Sequence, residues 1–133
     1  MVEAYSTQEA NSWTRIEMLI ELYDATIAAL EDARDAQREN RESDLYSHLL
    51  RGNRLMFGII AGINRDVSEI GGDIERLCLF VVSCIRERNL DPAIKVLQTL
   101  RDGFEGIREQ AIELERQGEV PDLSTDTSLI SVA

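Results

Sequence analysis

The chain is short of the residues that most chemistry needs. It has one histidine, His48, whose neighbours three residues away are Leu45 and Arg51. A di-metal centre in a small helical protein draws on carboxylates and on Glu-x-x-His pairs from facing helices, and no such pair occurs here. It has two cysteines, Cys78 and Cys84, in one apolar run. On a single helix they point in different directions, so they cannot bridge to each other and do not form a thiolate cluster. They read as free buried thiols, which suits a reducing cytosol. No G-x-S-x-G, P-loop or G-x-G-x-x-G pattern is present. These absences lead us to expect a non-enzymatic protein with no metal and no cofactor.

Positive charge and long apolar runs are scarce as well. Lys and Arg total 14 against 25 Asp and Glu, a net charge of −11. That field repels nucleic acid and anionic membrane, so neither is an expected partner. The longest apolar run, residues 77–85, contains Ser83. It falls far short of the roughly twenty residues that span a bilayer, so membrane insertion is not expected. The opening segment, MVEAYSTQEANSW, lacks the basic and apolar regions of a signal peptide, and the expected location is the cytosol. Apolar residues still make up 44% of 133, enough for one modest core in one domain and too many for a disordered chain.

With only two prolines, Pro92 and Pro121, long helical periodicities run between breakers. The first helix has a full start signal: Thr14 and Glu17 form a capping box, with Trp13 and Met18 placed for a hydrophobic staple. Its seam is Ile16, Leu19, Tyr23, Ile27 and Leu30, and it ends near Asn40. A second helix is capped by Ser43 and carries Leu45, Leu49, Met56, Ile59 and Ile63. Gly52, Gly58 and Gly62 lie within it. Each costs about 1 kcal/mol relative to alanine, which predicts close approach of a neighbouring backbone. A turn is expected at Gly71-Gly72, with Asp73 or Ser68 capping the third helix. That helix is apolar on nearly all sides, so neighbours should surround it. Asp91 and Pro92 read as the cap and first residue of a fourth helix. Its seam runs Ile94, Leu97, Leu100, Phe104, Ile107, Ala111 and Leu114, and Gly118 ends it. Short connections imply an all-α fold, an antiparallel four-helix bundle over residues 14–118. Residues 1–13 form an N-terminal arm and 119–133 a mobile tail.

His48 is the one candidate nucleophile. The string His48-Leu49-Leu50-Arg51-Gly52, with Gly58 beyond it, resembles the H-x-L-K-G motif of histidine phosphotransfer domains, which are also small acidic helical bundles. In that alternative reading His48 accepts a phosphoryl group, Arg51 offsets its charge and Gly52 gives the approaching partner room. The competing reading is a solvated helix histidine with no chemistry.

Several separated motifs, in order, carry a second resemblance. These are Ala4-Tyr5, Thr14-x-x-Glu17 and Leu22-Tyr23, then the second-helix pattern Leu49, Leu50, Arg51, Leu55, Met56, Ile59, Ile63 and Asn64. In the third helix Leu77 and Phe80 are followed by Ile85 and Asn89. Together they resemble the flagellar secretion chaperone (FliS) family over about residues 4 to 117. Arg15, Cys78, Arg88 and Ile107 depart from that family's proline, tyrosine, alanine and tryptophan. The resemblance implies a cytosolic chaperone that binds the disordered C-terminal segment of flagellin, prevents premature polymerisation and aids delivery to the export apparatus. It also explains the basic and small residues at Arg51 and Gly52 without any phosphate.

The residues support a binding role independently. The first helix has a second apolar row, Met18, Leu22, Ala25 and Ala29, and the second and third helices have wider apolar faces than one seam needs. These rows and the resemblance together give the candidate partner contacts, with Tyr5, Met18, Leu22 and Tyr23 on the N-terminal side. Leu50, Phe57, Ile60 and Asn64 extend them from the second helix, and Leu77, Phe80 and Asn89 from the third and its end. The alternative use of these rows is a tight core or a homodimer interface.

Overall fold

The computed structural model describes residues 14–63 and 69–118, and within these the chain is all helical, with no strand. The described residues form five helices: α1 (Arg15–Arg38), α2 (Glu42–Ala61), α3 (Glu69–Arg86), α4 (Leu90–Gly106) and α5 (Arg108–Arg116). The expected N-terminal arm and tail, Trp13 and Ser68 lie outside the described residues. Helix α1 packs most closely on α2 and also lies against α4 and α5, while α3 bridges α4 and, more loosely, α2.

The start of α1 follows from its sequence. The Glu17 N–H donates to the Thr14 hydroxyl at 3.4 Å, and the Thr14 N–H donates to the Glu17 carboxylate at 3.0 Å. This capping box satisfies two otherwise orphaned backbone donors. The same carboxylate ion-pairs with Arg108 at 3.3 Å, and the Arg15 N–H donates to Glu115 at 3.2 Å. One short acidic turn thus ties α1 to α5. The buried seam is Ile16, Ile20, Tyr23, Ile27 and Leu30, with Ile20 taking the inward place expected of Leu19. Ala29, Ala33 and Ala36 are fully buried, so small side chains let the neighbours approach α1 over a wide arc.

Both tight reversals use the same device. Asn40 has φ 57°, and the Arg41 N–H donates back to Ala36 at 2.8 Å. Arg88 has φ 60°, and the Asn89 N–H donates back to Cys84 at 2.8 Å. These left-handed closures satisfy carbonyls that the helix ends would leave orphaned. They also move the next helix starts. Helix α2 begins at Glu42 with no side-chain cap, so Ser43 lies in the first turn and is not its cap. Helix α4 begins at Leu90, one residue after Asn89, and the expected Asp91–Pro92 boundary is already inside it. Pro92 is tolerated there because first-turn N–H groups have no intrahelical acceptor. The Asp91 carboxylate meets Arg34 of α1 at 3.0 Å.

Three further expectations change. Gly71 and Gly72 are inside α3 and make no turn, so Asp73 is an interior residue that pairs with Arg76. Intrinsic propensity is a weak prior that tertiary packing overrides, and Gly71 is buried. Helix α3 is not surrounded: Ile74, Cys78, Val81, Cys84 and Ile85 face the core, whereas Leu77, Leu79 and Phe80 are exposed. The last seam is broken at Ile107, whose φ of −110° interrupts the helix before α5. Ile107 stays buried, and the break lets α5 lie against the start of α1. Gly118, at φ +84°, ends α5 as expected.

The α2 glycines separate into two kinds. A Cβ on Gly52 would stand 2.8 Å from Leu30 Cδ2, so this glycine admits a core leucine. A Cβ on Gly58 would meet nothing within 4 Å. Close backbone approach therefore does not explain Gly58. Gly58→Ala is expected to raise stability by about 0.5–1 kcal/mol through helix propensity. Gly52→Ala should fall below it, because crowding a packed leucine costs about 1–3 kcal/mol. Urea denaturation of both variants checks the ordering.

Candidate partner-binding grooves

The open face of Gly58 leads to the larger surface depression. Met18, Leu19 and Leu22 of α1 form one wall, and Gly58, Ile59, Gly62 and Ile63 at the end of α2 form the other. Tyr23, Ile74 and Phe104 close the floor, and Arg15 stands at the rim. The space is about 320 Å³. Two of its lining positions, Gly58 and Gly62, carry no side chain, and a Cβ on Gly58 would meet nothing within 4 Å.

A second groove of about 230 Å³ lies between α3 and α4. Ile74 and Leu77 face Leu100, Gly103 and Phe104 across it, with Asp73 and Thr99 as its polar edges. Gly103 repeats the pattern of Gly58, since a Cβ there would also meet nothing within 4 Å. Ile74 and Phe104 line both grooves, so the two adjoin through these side chains. Phe104 is anchored from beneath by Tyr23, with ring centroids 5.6 Å apart at a 30° tilt. The result is two adjoining depressions lined mainly by apolar side chains, with Arg15 and Asp73 as the charged lining residues.

Such depressions can hold apolar side chains of a helix or an extended segment. Among the described residues no group of His, Cys, Asp and Glu is placed to hold a metal ion, and no helix is long and apolar enough to cross a membrane.

The expected contact residues divide. Met18 and Leu22 form a wall of the first groove, and Leu77 lines the second. Tyr23 reaches the groove only as floor: it is 1% exposed, so it supports the surface and offers little of itself to a partner. Ala25 and Ala29, expected on the same free row, are buried. Ile60 is half-buried and packed against the core. Leu50 and Phe57 are exposed on α2 and Phe80 on α3, yet none of them lines either groove. Asn89 is exposed at the entry to α4 and its side chain makes no cap bond. Tyr5 and Asn64 lie outside the described residues. Gly58, Gly62, Gly103, Ile74 and Phe104 were not among the expected contacts. The sequence signal available was the pair of glycines at i, i+4 in an otherwise apolar helix.

His48 is half-buried on α2. Gly52, which the phosphotransfer reading assigned to making room for a partner, is buried and filled by Leu30. Its smallness is accounted for by the core.

Cys78 and Cys84 are both buried and unpaired, as the sequence implied. Burial pushes the Cys78 thiol up to about 11 from its ordinary 9, with the neighbouring Tyr23 hydroxyl acting in the opposite sense. Burial also raises the Tyr23 phenol. Both groups are held neutral in the folded state and ionise more readily when unfolded. Their contribution to stability is therefore complete below the unfolded thiol value and declines as pH rises from about 9 through 11. For Cys78 alone the loss is up to about 2–3 kcal/mol. Denaturation at pH 8 and pH 10.5 should show that decline, and Cys78→Ala should reduce it. Compared with protein-family models, curated proteins and solved structures, the chain gives no match.

Proposed function

We propose that this protein is a cytosolic chaperone that holds an apolar, helix-forming segment of a client protein along the two adjoining grooves. In this reading the four long helices are an antiparallel four-helix bundle. The observation that carries the proposal is that the two grooves share Ile74 and Phe104 in their linings, with open glycines at Gly58 and Gly103. A helix whose only task was core packing would gain from alanine at both places.

The resemblance noted in the sequence points to the client: the C-terminal segment of flagellin, disordered when free. A segment of that kind gains order on binding, and burial of its apolar residues offsets the entropy lost. Covering those residues would prevent premature polymerisation, and the occupied chaperone would be delivered to the export apparatus. The exchange depends on release as well as capture. A shallow, largely apolar groove with few fixed hydrogen bonds suits a client that must later leave.

Titration calorimetry with a flagellin C-terminal peptide tests this. Gly58→Leu places a side chain into open groove space, and Met18→Glu places a charge on its wall. Each is expected to weaken binding at least tenfold, which is about 1.4 kcal/mol, while helicity stays unchanged. His48→Ala should bind as the parent does. Unchanged affinity in both groove variants would contradict the proposal, as would phosphoryl transfer to His48 from a charged receiver domain.

A further inference from the structure

Helix α2 has a second face that neither groove uses. Its core stripe is Leu45, Leu49, Gly52, Met56 and Ile59. On the opposite side Tyr46, Leu50, Arg54 and Phe57 follow at i, i+4, i+8 and i+11, the spacing of one helical stripe about 16 Å long. Tyr46 is 62% exposed, Leu50 38% and Phe57 61%. Three large apolar side chains in one solvent-facing row mark an interaction surface more often than an accident of composition.

Charge says what kind of partner fits. The acids of α2 are confined to its first turn, and both are engaged: Glu42 with Arg88 and Asp44 with Arg41, each at 2.7 Å. From Leu45 to Ala61 the helix has no acid, and it carries His48, Arg51 and Arg54. Among the described residues neither Arg51 nor Arg54 has an ion pair or a hydrogen-bond partner. Elsewhere among the described residues Arg34, Arg41, Arg76, Arg88, Arg101, Arg108 and Arg116 are paired, while the scattered Arg38, Arg86 and Lys95 are not. In a chain of net charge −11, a cationic stripe with no local acid is a reversal of sign. Nucleic acid or an anionic membrane would meet the acidic remainder of the molecule at longer range and be disfavoured. A narrow partner that covers the stripe and little else avoids that repulsion.

We infer that the outer face of α2 docks an acidic amphipathic helix of a second protein, with apolar residues seated against Tyr46, Leu50 and Phe57 and carboxylates on Arg51 and Arg54. Guanidinium groups suit this because they bind carboxylates bidentately while lying against aromatic faces. The apolar row Tyr46, Leu50 and Phe57 lines neither groove, while Gly58 of the first groove follows Arg51 at i+7 and Arg54 at i+4, so the two surfaces border each other along α2.

Fluorescence anisotropy on the full chain tests it with two labelled synthetic helices. Both carry leucines at i, i+4, i+7 and i+11. One has glutamate at the intervening positions and the other lysine. The glutamate peptide is expected to bind, with affinity that falls as salt is raised. Arg51→Glu with Arg54→Glu should weaken it at least tenfold and let the lysine peptide bind instead, and Phe57→Ser should weaken both. Gly103→Leu, which fills the second groove on another helix, should leave glutamate-peptide binding unchanged, so failure here is separable from failure of the client proposal. Equal binding of both peptides by the parent chain would overturn the inference. So would loss of glutamate-peptide binding in Gly103→Leu. Self-association of the parent, abolished by the double charge reversal, would also overturn it by showing that a second copy covers the face.

Discussion

Phe104 of α4 rests on Tyr23 of α1, ring against tilted ring, and the opposite edge of the same side chain faces two surface grooves. Both rings belong to the buried core, and Phe104 is the one of the pair shared by the linings of the two grooves. Loss of this contact would remove a residue shared by both grooves as well as part of the core, so core packing and groove shape are coupled through one aromatic pair. Polar interactions are secondary to it. The ion pairs that surround the helices are largely exposed and contribute little individually. The exception is the Thr14–Glu17–Arg108 cluster, which fixes the start of α1 beside α5 and so sets the position of Met18 on the groove wall.

Glycine has three separate uses in this small fold. Gly52 is a packing glycine that accepts Leu30, Gly118 is a helix stop in the left-handed region, and Gly58 and Gly103 are openings. The last use is the informative one. A helix interior without a side chain and without a close neighbour loses propensity and gains no packing. Two such positions on different helices, each facing a groove, are consistent with a surface that has to admit something else.

The parts of the fold legible in the sequence were those fixed by local chemistry. Thr14 and Glu17 specify their cap through bonds that span three residues, and the buried seams of α1 and α4 follow helical periodicity. What was not legible depended on tertiary closure. The caps expected at Ser43 and Asp91 were displaced because Asn40 and Arg88 turn the chain with left-handed closures that start the next helix early. Gly71 and Gly72 looked like a turn and are helical, and Ile107, apolar and in register, sits at a break. The site was half legible for the same reason. Surplus apolar rows identified Met18, Leu22 and Leu77. Which of the remaining residues lie on a groove, in its floor or on an outer face depends on helix rotation, and Tyr23, Leu50 and Phe57 fell on the other side of that division.

The central claim, that the two grooves sharing Ile74 and Phe104 together receive the client, is tested most directly by methyl NMR of the protein with and without a flagellin C-terminal peptide. The account predicts shifts at Leu22, Ile63, Ile74, Leu77 and Leu100 across both grooves, with Leu50 on the outer face of α2 unmoved. Shifts confined to Leu50 and its neighbours, or to one groove with Ile74 silent, would contradict it.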